Sequence, residues 1–297
     1  FSVFTQWQQT FEHTLVQFGA RLKHAQANAD KVSSSMAMMS IPMAMPADTS
    51  GHSEHMADGT MDSSMGNTPN MGTLARNLQD DFNNAERKVS DTNVDIALSS
   101  ESTLTEILSL YVGLGIKSKA PSYQERYLWT PMEATGGLAD GHTYIGDINL
   151  SSETAYQSDI GLTWQTDDFM VSPHVFYQHI DDYIQGTPMG MEENSAKMMA
   201  SMMANDDNPL KFTNVDAKLY GADINWSVRL TEYFHFSGVA SYVKGERRDI
   251  TDNLYRIAPL NGQLSLSYQG NKLSSNLTLV AASNQDDVSL TNSEQTT

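Results

Sequence analysis

The sequence predicts an all-β fold: an antiparallel, up-and-down transmembrane β-barrel that is incomplete, with about ten strands in the chain. Apolar and polar residues alternate along much of the chain, as in residues 108–117, where every even position is aliphatic. Several of these segments span 12 or more residues, beyond the ~5–6 of soluble sheets and enough to cross a bilayer at a tilt. Short and long connections alternate, as in barrels with short periplasmic turns and long extracellular loops.

The strands are predicted near residues 1–8, 14–29, 85–100, 106–119, 152–166, 168–184, 212–230, 232–249, 254–270 and 271–287. Short turns are expected near 9–13, 101–105, 167, 231 and 270, and longer links at 30–84, 120–151, 185–211 and, less so, 250–253. Residues 195–203 have helical propensity. Residues 33–72 are rich in Ser, Pro, Asp and Met, a low-complexity composition typical of disorder.

The composition excludes several classes of protein. Asp and Glu total 36 against 18 Lys and Arg, and a net charge of −18 argues against nucleic acid as a partner. No run of 18 apolar residues exists, so a helical membrane span is excluded. Cysteine is absent, which excludes disulfides and thiolate metal sites. No nucleophile elbow, phosphate loop or HExxH pattern occurs, so we expect no enzyme activity, no catalytic residue and no resident cofactor.

Methionine carries the second signal, because all but two of the 17 methionines fall in residues 36–71 and 189–203. Thioether sulfur suits Cu(I), and imidazole also suits copper, so these loops predict a copper site without cysteine. The alternatives are hydrophobic packing of the loops, since methionine fills irregular gaps, and drifted low-complexity sequence. The candidate metal ligands are Met36, Met38, Met39, Met43, Met45, His52, Glu54, His55, Met56, Met61, Met65, Met198, Met199, Met202 and Met203.

Six segments resemble, in order, parts of one family. They are residues 1–30, 111–127 (YVGLGIKSKAPSYQERY), 146–162 (GDINLSSETAYQSDIGL), 175–184 (VFYQHIDDYI), 219–223 (LYGAD) and 255–260 (YRIAPL). Together they resemble the C-terminal barrel of TonB-dependent outer-membrane receptors. The third segment departs from the family pattern, because Asp147, Ile148 and Asn149 stand where Asn-Pro is usual.

The resemblance implies a 22-strand barrel in the outer membrane of a Gram-negative bacterium. Such a receptor binds a scarce ligand and moves it past an N-terminal plug, with energy delivered through a TonB box. We expect residues 1–297 to form part of the barrel, with Met-rich extracellular loops near 30–84 and 185–211 and with the plug and remaining strands absent. With two open edges, the isolated chain should neither transport nor sit stably in lipid.

The expected function is therefore uptake of a metal ion or metal chelate, with outer-membrane lipid and the TonB complex as partners. Methionine and histidine favour copper as the transported ligand. A ferric-siderophore receptor is the alternative within the family, although loop arginine is scarce here. A passive porin or a surface adhesin is the alternative from another class.

Overall fold

A computed structural model describes residues 1–39, 70–133 and 140–297. One antiparallel sheet dominates. Its strands are β1 (Ser2–Phe11), β2 (Thr14–Asn28), β3 (Lys88–Thr105) and β4 (Leu108–Lys119), followed after two short strands by β7 (Glu153–Gln165), β8 (Phe169–Pro188), β9 (Leu210–Arg229), β10 (Phe234–Arg247), β11 (Asn261–Gln269) and β12 (Ser274–Ala282). The short strands are β5 (Met132–Glu133) and β6 (Thr143–Ile145), and the helices are α1 (Ser34–Met39), α2 (Met71–Asn84), α3 (Tyr123–Tyr127) and α4 (Asn194–Ala204).

The ten long strands follow one another around the sheet in chain order, each antiparallel to the next. This up-and-down topology confirms the predicted fold class. Over the described ranges the sheet does not close, since β1 and β12 each pair on one side only. The described residues include no helix that is both long and apolar enough to cross a membrane.

The connections alternate as predicted. Residues 12–13, 106–107, 166–168, 230–233 and 270–273 form short turns at one end, whereas residues 29–87, 120–152, 189–209 and 248–260 form long connections at the other. Several boundaries were predicted wrongly. β3 continues through the expected turn at 101–105, with a register shift between Thr103 and Thr105. β12 ends at Ala282, and residues 254–260 form a loop rather than the start of a strand.

The 254–260 segment cannot pair as a strand, for two local reasons. Arg256 has a φ of 62°, in the left-handed region that interrupts an extended chain. Pro259 has no backbone N–H to donate to a ladder. Leu254 is fully buried here, so the apolar alternation reflected packing of a loop rather than a strand face.

The long strands have one apolar and one polar face. Leu98 lies opposite Leu114, and Ile160 lies opposite Val175, and each of these side chains is about half exposed. The opposite face carries Gln17, Arg21, Asp95, Gln157, Asp159, His174 and Asp223, and a cleft of about 1120 Å³ runs along part of it. Over the described residues, the sheet therefore leaves the side chains of its apolar face exposed.

The buried hydrophobic core lies at one end of the sheet, among the long connections and the strand ends that lead into them. We call residues 29–39, 70–87, 120–133, 140–152 and 189–209 the loop cap. Its largest buried clusters combine side chains from different connections: Leu74, Leu78, Ile145, Met189 and Met199 form one, and Ala29, Val32, Phe82, Tyr127 and Ile148 form another. The cap is thus a folded unit supported by the outer ends of the strands.

Candidate functional site

Helix α2 lies at the centre of the loop cap. Asn70 caps its N-terminus by accepting a hydrogen bond from the backbone N–H of Thr73 at 2.9 Å. Leu74, Leu78 and Phe82 recur every four residues, so they share one face of the helix and are buried. The four-residue spacing and the Asn70 cap of α2 could have been found in the sequence, but the low-complexity composition of residues 33–72 obscured the helix.

The C-terminus of α2 is tied to the neighbouring connection. The Arg87 guanidinium donates to the carbonyls of Phe82, Asn83 and Ala85 and to that of Ala29, so it satisfies carbonyls left free by the last turn. The Asn83 amide donates to the Val32 carbonyl at 2.9 Å, and its Oδ1 accepts from the Val32 N–H at 2.8 Å. These bonds fix the segment that leads into α1, which carries the first candidate methionines.

Helix α4 forms where the sequence predicted helical propensity, and it packs against α2. The Asn77 amide donates to the Ser195 hydroxyl at 3.2 Å across the two helices. Asn205 ends α4 in the left-handed conformation, with φ of 52°, and its N–H returns to carbonyls of the last turn. Because α1 packs on α2 and α2 packs on α4, the fold places the described ends of the first methionine tract, α1 and Met71, in the same group of helices as the second tract.

The methionines of α4 and its approach divide into two groups. Met199 is fully buried and Met189 is 5% exposed, both within the cluster formed with Leu74 and Leu78. Met71 and Met198 pack against the same cluster. By contrast, Met202 is 53% exposed, Met203 37% and Met191 97%. Of the candidates on α4, the structure therefore turns Met202 and Met203 toward solvent and packs Met198 and Met199.

The remaining candidates are placed only in part. Met36, Met38 and Met39 lie on α1. Met43, Met45, His52, Glu54, His55, Met56, Met61 and Met65 lie outside the described residues. Across residues 1–39, 70–133 and 140–297, no group of three or more His, Asp or Glu is arranged to hold a metal ion. The predicted ligand set stays a prediction.

A buried ion pair anchors the loop cap to the sheet. Arg126 on α3 is 3% exposed and donates two hydrogen bonds to the Asp91 carboxylate, at 2.6 and 2.7 Å, and a third to the Leu150 carbonyl at 2.9 Å. Ser122 and Glu125 begin α3 with a reciprocal capping box. That Ser-x-x-Glu spacing is readable from sequence, but nothing in the sequence identified the Asp91 partner.

Asp206 connects the end of α4 to β6. Its carboxylate accepts hydrogen bonds from the Thr143 N–H at 2.6 Å, the Thr143 hydroxyl at 2.9 Å and the Asn208 N–H at 3.0 Å, and His142 lies 3.4 Å away. Burial acts to raise the pKa of Asp206, but these hydrogen bonds outweigh it and hold the pKa below its ordinary value. The carboxylate is therefore ionised and positions the helix that carries the second methionine tract.

Two phenols share another buried carboxylate at the base of the cap. The hydroxyls of Tyr144 and Tyr255 both donate to Asp140, the second at 2.9 Å. Burial, and then the hydrogen bond to Asp140, raises the pKa of each phenol. Both tyrosines therefore remain protonated donors, and the arrangement is a structural tie between the 120–152 and 248–260 connections.

A cavity of about 400 Å³ opens between α2, α3 and the start of α4. Apolar walls from Leu78, Phe82 and Trp129 face charged groups that include Asp81 and Lys211. Lys211 is already engaged, at 3.0 Å from Asp147 and 3.1 Å from Glu193. The cavity is large enough for a small ligand, and its surplus of carboxylates favours a cation.

The model of the TonB dependent receptor-like β-barrel family matches residues 1–296. The chain belongs to this family. Its members are receptors and transporters rather than a class of enzyme, and they lie in the outer membrane. No curated protein matches the chain by sequence.

Solved structures share the fold. A copper transporter, OprC, superposes with a TM-score of 0.64 at 19% identity, over 97% of this chain and 34% of that one. The siderophore receptor PirA from Pseudomonas aeruginosa gives 0.56 at 15% identity, over 94% and 39%. The FrpB iron transporter from Neisseria meningitidis (F5-1 variant) gives 0.52 at 12%, over 94% and 32%. The chain spans about a third of the length of these proteins.

Membership of the TonB-dependent receptors assigns the two faces and two ends of the sheet. The apolar face is the lipid face of an outer-membrane barrel, and tryptophans border it at the short-turn end. Trp164 and Trp226 lie near the short turns, whereas Tyr177 and Tyr220 pair near the middle of β8 and β9. In this family the long loops are extracellular, so the receptor assignment puts the loop cap on the outer side.

Proposed function

We propose that this chain is the loop-bearing part of a receptor that takes up a metal ion or metal chelate across the outer membrane, energised through TonB, and that the metal is copper. Outer-membrane lipid surrounds the apolar face, and the TonB complex acts through parts of the protein beyond these residues. The observation that carries the proposal is that α1 and Met71, the described ends of the first methionine tract, lie in the same loop cap as the second tract on α4.

The chemistry of the side chains supports copper over zinc. Thioethers are soft, uncharged donors that prefer Cu(I), and they outnumber imidazoles in the two tracts. Met191, Met202 and Met203 are exposed at the cap surface, where an incoming ion arrives first. OprC is a copper transporter, but at 19% identity its likeness to this chain concerns the fold, and the support for copper comes from the methionines of this chain.

The charge of the chain supports capture of a cation rather than an anionic chelate. The net charge is −18, and Asp81, Glu192 and Glu193 line the cap cavity. Such a field raises the local concentration of cations. Hard carboxylates alone select calcium or magnesium, so the thioethers supply the preference for a soft ion.

The decisive experiment replaces thioethers without disturbing packing. The protein is expressed from its full reading frame, purified in detergent and titrated with Cu(I) against a competing chelator. The M191L/M202L/M203L variant should bind Cu(I) more weakly or with lower stoichiometry, because leucine keeps volume and loses sulfur. Met170→Leu, in β8 near the short turns, is the matched control and should change nothing. Equal Cu(I) binding by the triple variant and the parent would refute these ligands, and no Cu(I) binding by the parent would refute copper.

A ferric-siderophore receptor is the second candidate, favoured by one specific observation. Met71, Met189, Met198 and Met199 contribute to a hydrophobic cluster, so packing already accounts for part of the methionine excess. Uptake of radiolabelled iron chelates by cells expressing the receptor separates the two. Iron-chelate uptake without copper uptake would select the siderophore function.

A further inference from the structure

The thioethers of the α4 region experience two environments that differ in access to solvent. Met189 and Met199 are enclosed by Leu74, Leu78 and Ala196, and the Thr130 hydroxyl donates to the Met199 sulfur at 3.4 Å. Met191, Met202 and Met203 are 97%, 53% and 37% exposed. One short segment therefore presents sulfur to the medium while using the same residue type to hold itself onto α2.

This division has a chemical consequence, because thioethers react with hydroperoxides. The sulfur lone pair attacks one peroxide oxygen, the O–O bond breaks, sulfur is oxidised by two electrons, and hydrogen peroxide is reduced to water. The product, methionine sulfoxide, is polar and no longer offers the soft thioether donor. The reaction requires contact with the oxidant, so its rate at each site follows exposure.

We propose that Met191, Met202 and Met203 are sites of oxidative modification on the surface of the loop cap, at which peroxide removes Cu(I)-binding capacity while the packing methionines keep the cap folded. The loss of copper binding rests on the proposed function, whereas the pattern of modification does not. The reagent is a small hydroperoxide, which supplies the sulfoxide oxygen and accepts the two electrons.

The geometry explains why the cap survives this modification. A sulfoxide at Met199 would place an S=O dipole among buried aliphatic side chains, which costs free energy unless it is hydrogen-bonded. A sulfoxide at Met191 or Met202 remains hydrated and breaks no packing contact with the cluster. Modification at the surface therefore changes metal chemistry without unfolding α4.

Peptide mapping by mass spectrometry tests the modification site. The full receptor is exposed to hydrogen peroxide for graded times, and the sulfoxide fraction is measured at each methionine. Met191, Met202 and Met203 should oxidise roughly tenfold or more faster than Met189 and Met199. The same treatment in denaturant should remove the difference. Similar rates at all five sites in the folded receptor would overturn the proposal.

Copper titration before and after peroxide tests the functional consequence. The difference in Cu(I) binding between the parent and M191L/M202L/M203L should disappear after oxidation, because the variant lacks these thioethers. A difference that persists after oxidation overturns the switch. Absence of any difference before peroxide refutes the proposed copper ligands and the switch with them, while the oxidation map still decides the modification site.

Discussion

Replacing Arg126 with methionine should release the loop cap from the sheet. Methionine keeps the unbranched, apolar character of the arginine stem but supplies no donor, so the Asp91 carboxylate loses its bidentate partner and the Leu150 carbonyl loses a hydrogen bond. Removing one member of a buried pair costs about 3–5 kcal/mol. Asp91 keeps 11% of its side chain exposed and also accepts from Ser152, so we expect a cost near 3 kcal/mol.

A cost of ~3 kcal/mol corresponds to roughly a hundredfold rise in the opening equilibrium of the cap, since ~1.4 kcal/mol is a factor of ten. Hydrogen exchange read by mass spectrometry on the full receptor measures this rise in peptides from residues 120–152. Arg229→Met is the matched control, because Arg229 pairs with Asp168 at an exposed turn at the opposite end, where such pairs contribute ~0–1 kcal/mol. Less than a threefold change in cap exchange for Arg126→Met would refute the anchoring role.

Three further predictions concern the same cap. Gly186→Ala should destabilise the cap by ~1–3 kcal/mol, because an added Cβ would lie 2.6 Å from the Tyr144 ring. Gly19→Ala is the control and should be nearly neutral, because its added Cβ would have its nearest neighbour 4.0 Å away. Urea titrations of the two variants compare their free energies of unfolding. Met199→Ala should lower the free energy of unfolding by ~2–5 kcal/mol and Met199→Leu by less than ~1.5 kcal/mol, because Met199 is fully buried. Thermal unfolding should resolve this difference, and equal losses of stability would contradict the packing role. Asp206 has a pKa in the folded state below its ordinary value of 3.8. The stability that its carboxylate gives the fold is therefore fully present above pH 3.8 and is lost as the pH falls through the folded-state pKa. Pepsin sensitivity of residues 189–209 should therefore rise on acidification in the parent and be high at every pH in Asp206→Asn; identical pH profiles would contradict the assignment.

The sheet could be predicted from sequence because its determinants are local. Period-two alternation fixes which side chains share a face, and turn length fixes which strands are neighbours, so ten strands in chain order follow directly. The errors occur where burial or strand pairing outweighs the local sequence pattern. Leu254 alternates like a strand residue but is buried in a loop, and β8 and β9 extend to Pro188 and from Leu210 because they pair with each other beyond the predicted ends.

The loop cap was less predictable because its contacts are remote in sequence. Methionine clustering located both tracts, and the helical propensity of 195–203 identified α4, but composition cannot say which thioethers face solvent. That division depends on α2, which lies more than 100 residues earlier and covers Met199 but not Met202. Likewise, Arg126 and Asp91 are 35 residues apart, and only the folded loops bring them together.

Trp129 gives the cap an intrinsic optical signal. Its indole packs against both large clusters, the one that contains Met199 and the one that contains Phe82. Movement of either cluster hydrates this ring, and hydration shifts indole emission to longer wavelengths. With the other three tryptophans of residues 1–297 replaced by phenylalanine, movement of the cap can be followed in real time by this emission, without an added label.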